Sequence, residues 1–219
     1  MSGHRIALLA GATGLTGGHL LELLLADARY SRVHALVRKP AFPARARLQE
    51  HTFDFDHPAK LPRADDVFCC LGTTIKKAGS QAAFRKVDFD YVVTLARRAG
   101  NAGAKRFLVV SSLGADARSP IFYNRVKGEM EAALREIGFD ALHIFQPSLL
   151  LGDRREARLG ERLGIAASAI ISPFMLGPAK KYRPIEARIV AHAMWKTAWN
   201  GQTGIHVHPS DQIAIIGKQ

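Results

Sequence analysis

The chain has 219 residues, 47% of them hydrophobic and 23% charged, and its 31 basic against 19 acidic residues give a formal net charge of +12. That length suits one α/β domain over residues 1–219, and since no apolar run reaches the roughly 18 residues of a membrane span, no transmembrane segment is expected. The positive surplus favours an anionic partner, yet the basic residues are scattered and no zinc-finger, RNA-binding or basic-zipper pattern appears, so nucleic acid is disfavoured.

Met1 to Arg5 leads straight into Ile6-Ala7-Leu8-Leu9-Ala10, a run too short for a signal-peptide core, and a cytoplasmic protein is expected. Residues 5–10 read as a buried strand and 15–27 as a helix carrying Leu20, Leu21, Leu24 and Leu25. Val33–Val37, His51–Phe55 and Asp66–Leu71 read as the second, third and fourth strands. Phe84, Val87, Tyr91 and Leu95 then recur on one helical face that stops near Gly100-Asn101-Ala102-Gly103. A strand at Phe107–Ser111, a helical region at 120–137 and a strand at Ala141–Phe145 follow. Beyond Leu151 the rhythm changes to a basic helical stretch at 154–163, an apolar run, Gly177-Pro178, a helix at 185–199 and a late strand at Ile213–Ile216. Strand–helix alternation of this kind predicts an α/β doubly wound parallel sheet. Residues 1–151 would be its core and 152–219 a small C-terminal substrate or lid part. The adjacent Cys69 and Cys70 fit neither an ordinary disulfide nor a zinc site; they read as buried apolar residues, and no metal site is expected.

Gly11-Ala12-Thr13-Gly14-Leu15-Thr16-Gly17 follows the first strand directly and opens the first helix. In that context the glycines let the backbone turn tightly against a pyrophosphate, while the helix N-terminus offers N–H groups to the anion. Gly11, Thr13, Gly14, Leu15, Thr16 and Gly17 are therefore candidate cofactor residues, and the sheet reads as Rossmann-type. At the end of the second strand an acid would select NAD(H), whereas basic residues accommodate a 2′-phosphate. Arg38 and Lys39 stand there with no acid, so NADP(H) is favoured over NAD(H). Asp54 is a candidate adenine contact or an ordinary turn residue.

Tyr123 and Lys127 stand four apart on a predicted helix, hence on one face. A nearby ammonium lowers a phenol's pKa, so Tyr123 is a candidate general acid or base and Lys127 a candidate partner of the nicotinamide ribose. Alone, a Y-x-x-x-K is a weak signal. Its position after a strand ending in Ser111-Ser112 strengthens it, because strand C-termini of a doubly wound sheet face the ligand. Ser111 is expected beside the cofactor and Ser112 against the substrate oxygen.

Together, Gly11 to Gly17, Ser112 and Tyr123-x-x-x-Lys127 resemble an atypical short-chain dehydrogenase/reductase. Phe68 to Thr74, Lys77-Ala78-Gly79, Val87-Asp88-Phe89-Asp90-Tyr91, Ser111 to Asp116 and Val126 to Glu129 are similar, more narrowly, to the Tat-interacting-protein-like oxidoreductases. The resemblance implies NADPH binding, with Leu71, Gly72 and Thr73 lining the cofactor and Pro147-Ser148 near the nicotinamide. It also implies that Ser112, rather than Ser111, is the catalytic serine. Gln146 departs from the arginine that relatives often carry before the proline, and the N-terminal extension of the animal members is lacking. The expected activity is NADP(H)-dependent hydride transfer on a small carbonyl or alcohol substrate. The alternative is an NADP(H) sensor acting on a protein partner without turnover. Monomer and homodimer both stay open.

Overall fold

Leu8, Leu9, Val67, Phe68, Leu108 and Val109 point alternately to two sides of a sheet, and all are buried, which is the mark of strands covered on both faces. The computed structural model describes residues 4–152 and 181–218. In chain order they form β1 (Arg5–Ala10), α1 (Leu15–Ala26), β2 (Tyr30–Val37), β3 (Leu48–Thr52) and β4 (Asp66–Cys69). Two short helices follow, α2 (Ile75–Ala78) and α3 (Gln81–Arg85), then a π turn (Lys86–Asp90) that leads into α4 (Tyr91–Asn101). The rest is β5 (Arg106–Val110), α5 (Phe122–Arg135), β6 (Ala141–Gln146), β7 (Leu150–Leu151), β8 (Ile185–Glu186), α6 (Ala187–Thr197), β9 (Gly204–Pro209) and α7 (Ser210–Lys218).

Seven strands pair in the order β3-β2-β1-β4-β5-β6-β9, every pair parallel, while β7 and β8 form a small parallel pair of their own. This is the expected doubly wound sheet. On one face Leu9, Phe68, Leu108 and Phe145 pack with Leu20, Leu21 and Leu24 of α1 and Val190 and Met194 of α6. On the other, Leu8, Val67 and Val109 pack with Val92, Leu95 and Ala96 of α4 and Met130 and Leu134 of α5.

Several sequence expectations are corrected. The third strand lies at Leu48–Thr52, not His51–Phe55, because Phe53 and Phe55 leave the sheet edge to pack against each other at 4.8 Å, and Phe55 stacks on Tyr91. The fourth strand ends at Cys69, so Cys70 and Leu71 belong to the loop above it. The expected late strand Ile213–Ile216 is part of α7, and the strand that closes the sheet is β9. The isoleucines favour a strand locally, but docking α7 on α6 buries Ile213 and leaves Ile215 exposed, a helical division that overrides propensity. The long helix through Phe84 and Leu95 is interrupted by the π turn, and its inward positions become Phe84, Asp88, Val92 and Leu95. The stretch at 154–163, the apolar run and Gly177-Pro178 lie outside the described residues.

At the N-terminal end of the sheet, Asp66 is fully buried and accepts from the Tyr30 hydroxyl at 2.7 Å, Arg5 at 3.3 Å and Arg106. Arg5 in turn lies 3.9 Å above the Trp199 ring. Removing one member of such a network strands the others in a low-dielectric interior. Asp66→Ala is expected to cost about 3 kcal/mol or more in urea unfolding. Three buried imidazoles sit nearer the sheet edges: His34 beside His51 at 2.8 Å, and His143 beside His208 at 3.1 Å. Burial and the neighbouring rings lower His34 to about 4, His143 to about 3 and His208 to about 4. A histidine depressed in the folded state binds its proton more readily when unfolded. Stability is therefore expected to hold above about pH 6.5 and to fall as pH drops toward 4. His143→Phe should flatten that fall in melting curves taken across the range.

Candidate functional site

The chain leaves β1 toward β2 on one side, while β4 lies on the other, so a crevice opens above the C-terminal ends of β1 and β4. It has a volume of about 1590 Å³. Its floor is the turn into α1. Gly11 has φ of +85°, and a Cβ there would sit 2.5 Å from the Cys70 carbonyl oxygen; a Cβ at Gly17 would sit 2.0 Å from the Gly11 carbonyl oxygen. Only glycine permits both approaches. Thr13, Gly14, Leu15 and Thr16 line the crevice, whereas Gly11 and Gly17 shape the turn from behind. Gly14 is the N-cap of α1, no side chain caps that end, and its first turn holds no acid. The cradle therefore keeps its N–H groups and positive dipole end for an outside anion, which fits a dinucleotide pyrophosphate.

Arg38 and Lys39 follow directly on β2 and are exposed. Asp54 is exposed as well and lies outside the crevice lining; its carboxylate accepts from the Asp56 N–H at 2.9 Å and meets the His57 ring at 3.0 Å within its own turn. Leu71, Gly72 and Thr73 line the crevice after β4. Pro147 and Ser148 line it after β6, with Ser148 donating to the Arg183 carbonyl and accepting from Ser210 at 3.0 Å.

Ser111, Ser112, Tyr123 and Lys127 all reach the same crevice. The two serines differ in their engagements. Ser111 is buried and donates to Glu131, while the half-buried Ser112 makes only a long 3.4 Å contact to the Leu113 carbonyl. Ser112 thus retains a hydroxyl for a ligand. Tyr123 is half-buried, its ring 5.2 Å from Phe84.

Lys127 is buried and forms a 2.7 Å ion pair with Asp88, which is buried too. The second Asp88 oxygen accepts from the Thr73 N–H at 2.9 Å. Burial pulls the Lys127 ammonium down, but the Asp88 carboxylate outweighs it, so Lys127 is held above the ordinary lysine value. Behind the serines, burial raises the Glu131 carboxyl despite bonds from Ser111 and from the Gln146 amide at 2.9 and 3.0 Å. The Gln146 amide therefore caps both oxygens of a buried carboxyl group. Both cysteines are free, and burial raises the Cys69 thiol to about 12. Among the described residues no cluster of histidine, cysteine or carboxylate side chains could hold a metal ion.

The reading from sequence missed Asp88 and Glu131 as site residues. Asp88 left a signal, an acid four residues after Phe84 on the apolar side of the helix. Glu131 left a comparable one, four residues after Lys127.

Residues 11–164 match the NAD(P)H-binding family. Protein HTATIP2 of Rattus norvegicus is 43% identical over 162 residues, covering 71% of this chain and 66% of that protein, so the match spans about two thirds of its length. The mitochondrial protein fmp52 of Aspergillus niger is 36% identical over 163 residues, 70% of each chain. Among solved structures, MoeE5 in complex with UDP-glucuronic acid and NAD superposes with a TM-score of 0.71 at 19% identity, covering 92% of this chain and 74% of that one, a likeness of fold. The cytoplasmic expectation is corrected here: several fungal relatives are named mitochondrial proteins. By its glycine turn, its sheet and these matches, the chain belongs to the NAD(P)H-binding family, with the HTATIP2 and FMP52 proteins as its relatives.

Proposed function

We propose that the chain is an NADP(H)-dependent oxidoreductase that interconverts a small carbonyl compound and its alcohol. The observation that carries this reading is the convergence of Ser112, Tyr123 and Lys127 on the crevice whose floor is the uncapped N-terminus of α1. When bound, the dinucleotide supplies or takes the hydride. The protein's own groups do the rest. The first turn of α1 holds the pyrophosphate, with Leu71, Gly72 and Thr73 along one wall and Pro147 and Ser148 along another. Ser112 donates a hydrogen bond to the substrate oxygen and orients it. Tyr123 gives its phenolic proton to that oxygen in the reductive direction and recovers one in the oxidative direction, while Lys127 binds ribose hydroxyls. Exposed Arg38 and Lys39 supply the positive charge that a 2′-phosphate would meet, which supports NADP(H) over NAD(H).

Two substitutions test this. Tyr123→Phe is expected to lower kcat by about 100-fold or more on any carbonyl substrate found in a screen, with NADPH affinity measured by nicotinamide fluorescence nearly unchanged. Full activity in that variant would remove Tyr123 from the reaction, and cofactor binding with no turnover on any carbonyl would favour a sensor. Arg38→Asp is expected to weaken NADPH binding about tenfold and leave NADH binding within about twofold. Equal losses for both cofactors would overturn the assignment of Arg38 to the 2′-phosphate.

A further inference from the structure

A second cavity lies at the β9 edge of the sheet, between β9, the last turn of α6 and α7. Its volume of about 570 Å³ falls in the range of small-molecule sites, and it shares no lining residue with the crevice above β1 and β4. Ile205 and Ile216 give it an apolar side, and Lys196, Gln202, His208 and Gln212 a polar one. Among the described residues no acid lines it, and the half-buried Lys196 has no carboxylate partner. Gln202 spends its amide oxygen on the Asn200 side chain at 2.7 Å, which leaves its amide nitrogen without a partner.

His208 is the more deeply buried of the two imidazoles on the cavity wall, only 7% exposed, and the ring behind it decides where its proton sits. Nε2 of His208 lies 3.1 Å from Nδ1 of the fully buried His143. Both rings are neutral at neutral pH, because burial and then the neighbouring imidazoles hold them well below the ordinary histidine value. One of the two facing nitrogens therefore carries the shared proton. The other nitrogen of His143, Nε2, is buried with no partner. If His208 donated, that nitrogen would hold a proton with no acceptor; if His143 donates, it is a bare lone pair, and orphaned donors are the rarer fault. Nδ1 of His143 thus donates to Nε2 of His208, and His208 carries its own proton on Nδ1. That N–H makes no hydrogen bond within the protein, and it is not sealed in the core.

We propose that this cavity is a second ligand site, separate from the dinucleotide crevice, that takes a small organic acid. The oxyanion is held by the Lys196 ammonium and the Nδ1–H of His208, with the exposed Gln202 and Gln212 amides at the rim, and the carbon chain lies on Ile205 and Ile216. The ammonium supplies charge and the neutral donors supply direction. Hydrogen bonds to an ionised acceptor are about twice as strong as those to a neutral one, so this donor set selects an anion over an amide or an alcohol. Carboxylates and phosphate monoesters share that chemistry.

The test reads the cavity residue by residue. The full chain, labelled with 15N, is titrated with butyrate, butyl phosphate and the neutral butyramide at neutral pH and constant ionic strength. Saturable backbone amide shifts at Lys196, His208 and Gln212 are expected with at least one of the two anions, and the tighter one tells carboxylate from phosphate. Butyramide is expected to leave those signals in place. Lys196→Met, which keeps the length of the side chain, is expected to weaken binding of the tighter anion by about tenfold. In long-range 1H–15N spectra the His208 ring is expected in its Nδ1–H form, and His208→Gln identifies its signals among the nine histidines. The proposal is overturned if neither anion gives a saturable shift at the cavity, if the shifts are confined to Thr13–Thr16, or if butyramide matches the anions. Unchanged affinity in Lys196→Met, or a His208 ring protonated on Nε2, overturns it as well.

Discussion

The constraint on which the site depends is the reversal of winding between β1 and β4. A parallel sheet with covered faces can open to ligand only at its ends, and neighbouring loops diverge only where consecutive crossovers go to opposite sides. The glycine turn, the loop after β4 and the serines after β5 all meet there because the pairing order puts those strand ends side by side. The turn itself is held by close backbone contact, with Gly11 against the Cys70 carbonyl and Gly17 against the Gly11 carbonyl. A side chain at either point would separate β1 from β4 or lift α1, and the exposed N–H groups would lose their aim.

Above that frame the polar interior is ordered by charge pairing. Lys127 and Asp88 are both buried, an arrangement that is costly unless each is satisfied. Here the Thr73 N–H completes the acid, so the pair also links the loop after β4 to α5. The Glu131, Ser111 and Gln146 cluster does the same between α5, β5 and β6. It also separates the two adjacent serines chemically: the Ser111 hydroxyl donates to Glu131, whereas Ser112 makes a long contact to the Leu113 carbonyl. The opposite end of the sheet carries its own buried network at Asp66, where the charges serve cohesion.

Much of this was legible in the residues. The apolar runs of β1, β2, β4, β5 and β6 stood out because strands buried on both faces need hydrophobic side chains at nearly every position. The glycine spacing stood out because its strand–helix context has a physical reason. The errors fell where local preference and tertiary demand diverge. Phe53 and Phe55 suggested a strand, but they cover an edge instead; Ile213 to Ile216 favoured a strand, but one side of that segment had to dock on α6. β9, with two histidines and two exposed leading residues, carried little strand signal because its partner β6 supplies the ladder.

The sequence by itself determined the fold class, the cofactor cradle and the candidate Ser112, Tyr123 and Lys127, since each follows from short-range spacing on a strand, turn or helix. Only the tertiary structure decided which acid meets Lys127, which serine is free, and where the sheet ends. The first two depend on residues 15 to 39 positions apart in the chain, Thr73 with Asp88, Ser111 with Glu131 and Asp88 with Lys127, brought together by the π turn and by the packing of α5 on the sheet, and the third on β6 pairing with β9. No local pattern encodes such pairings, because one extra residue in a helical turn rotates every side chain beyond it, and packing alone decides whether that rotation is kept.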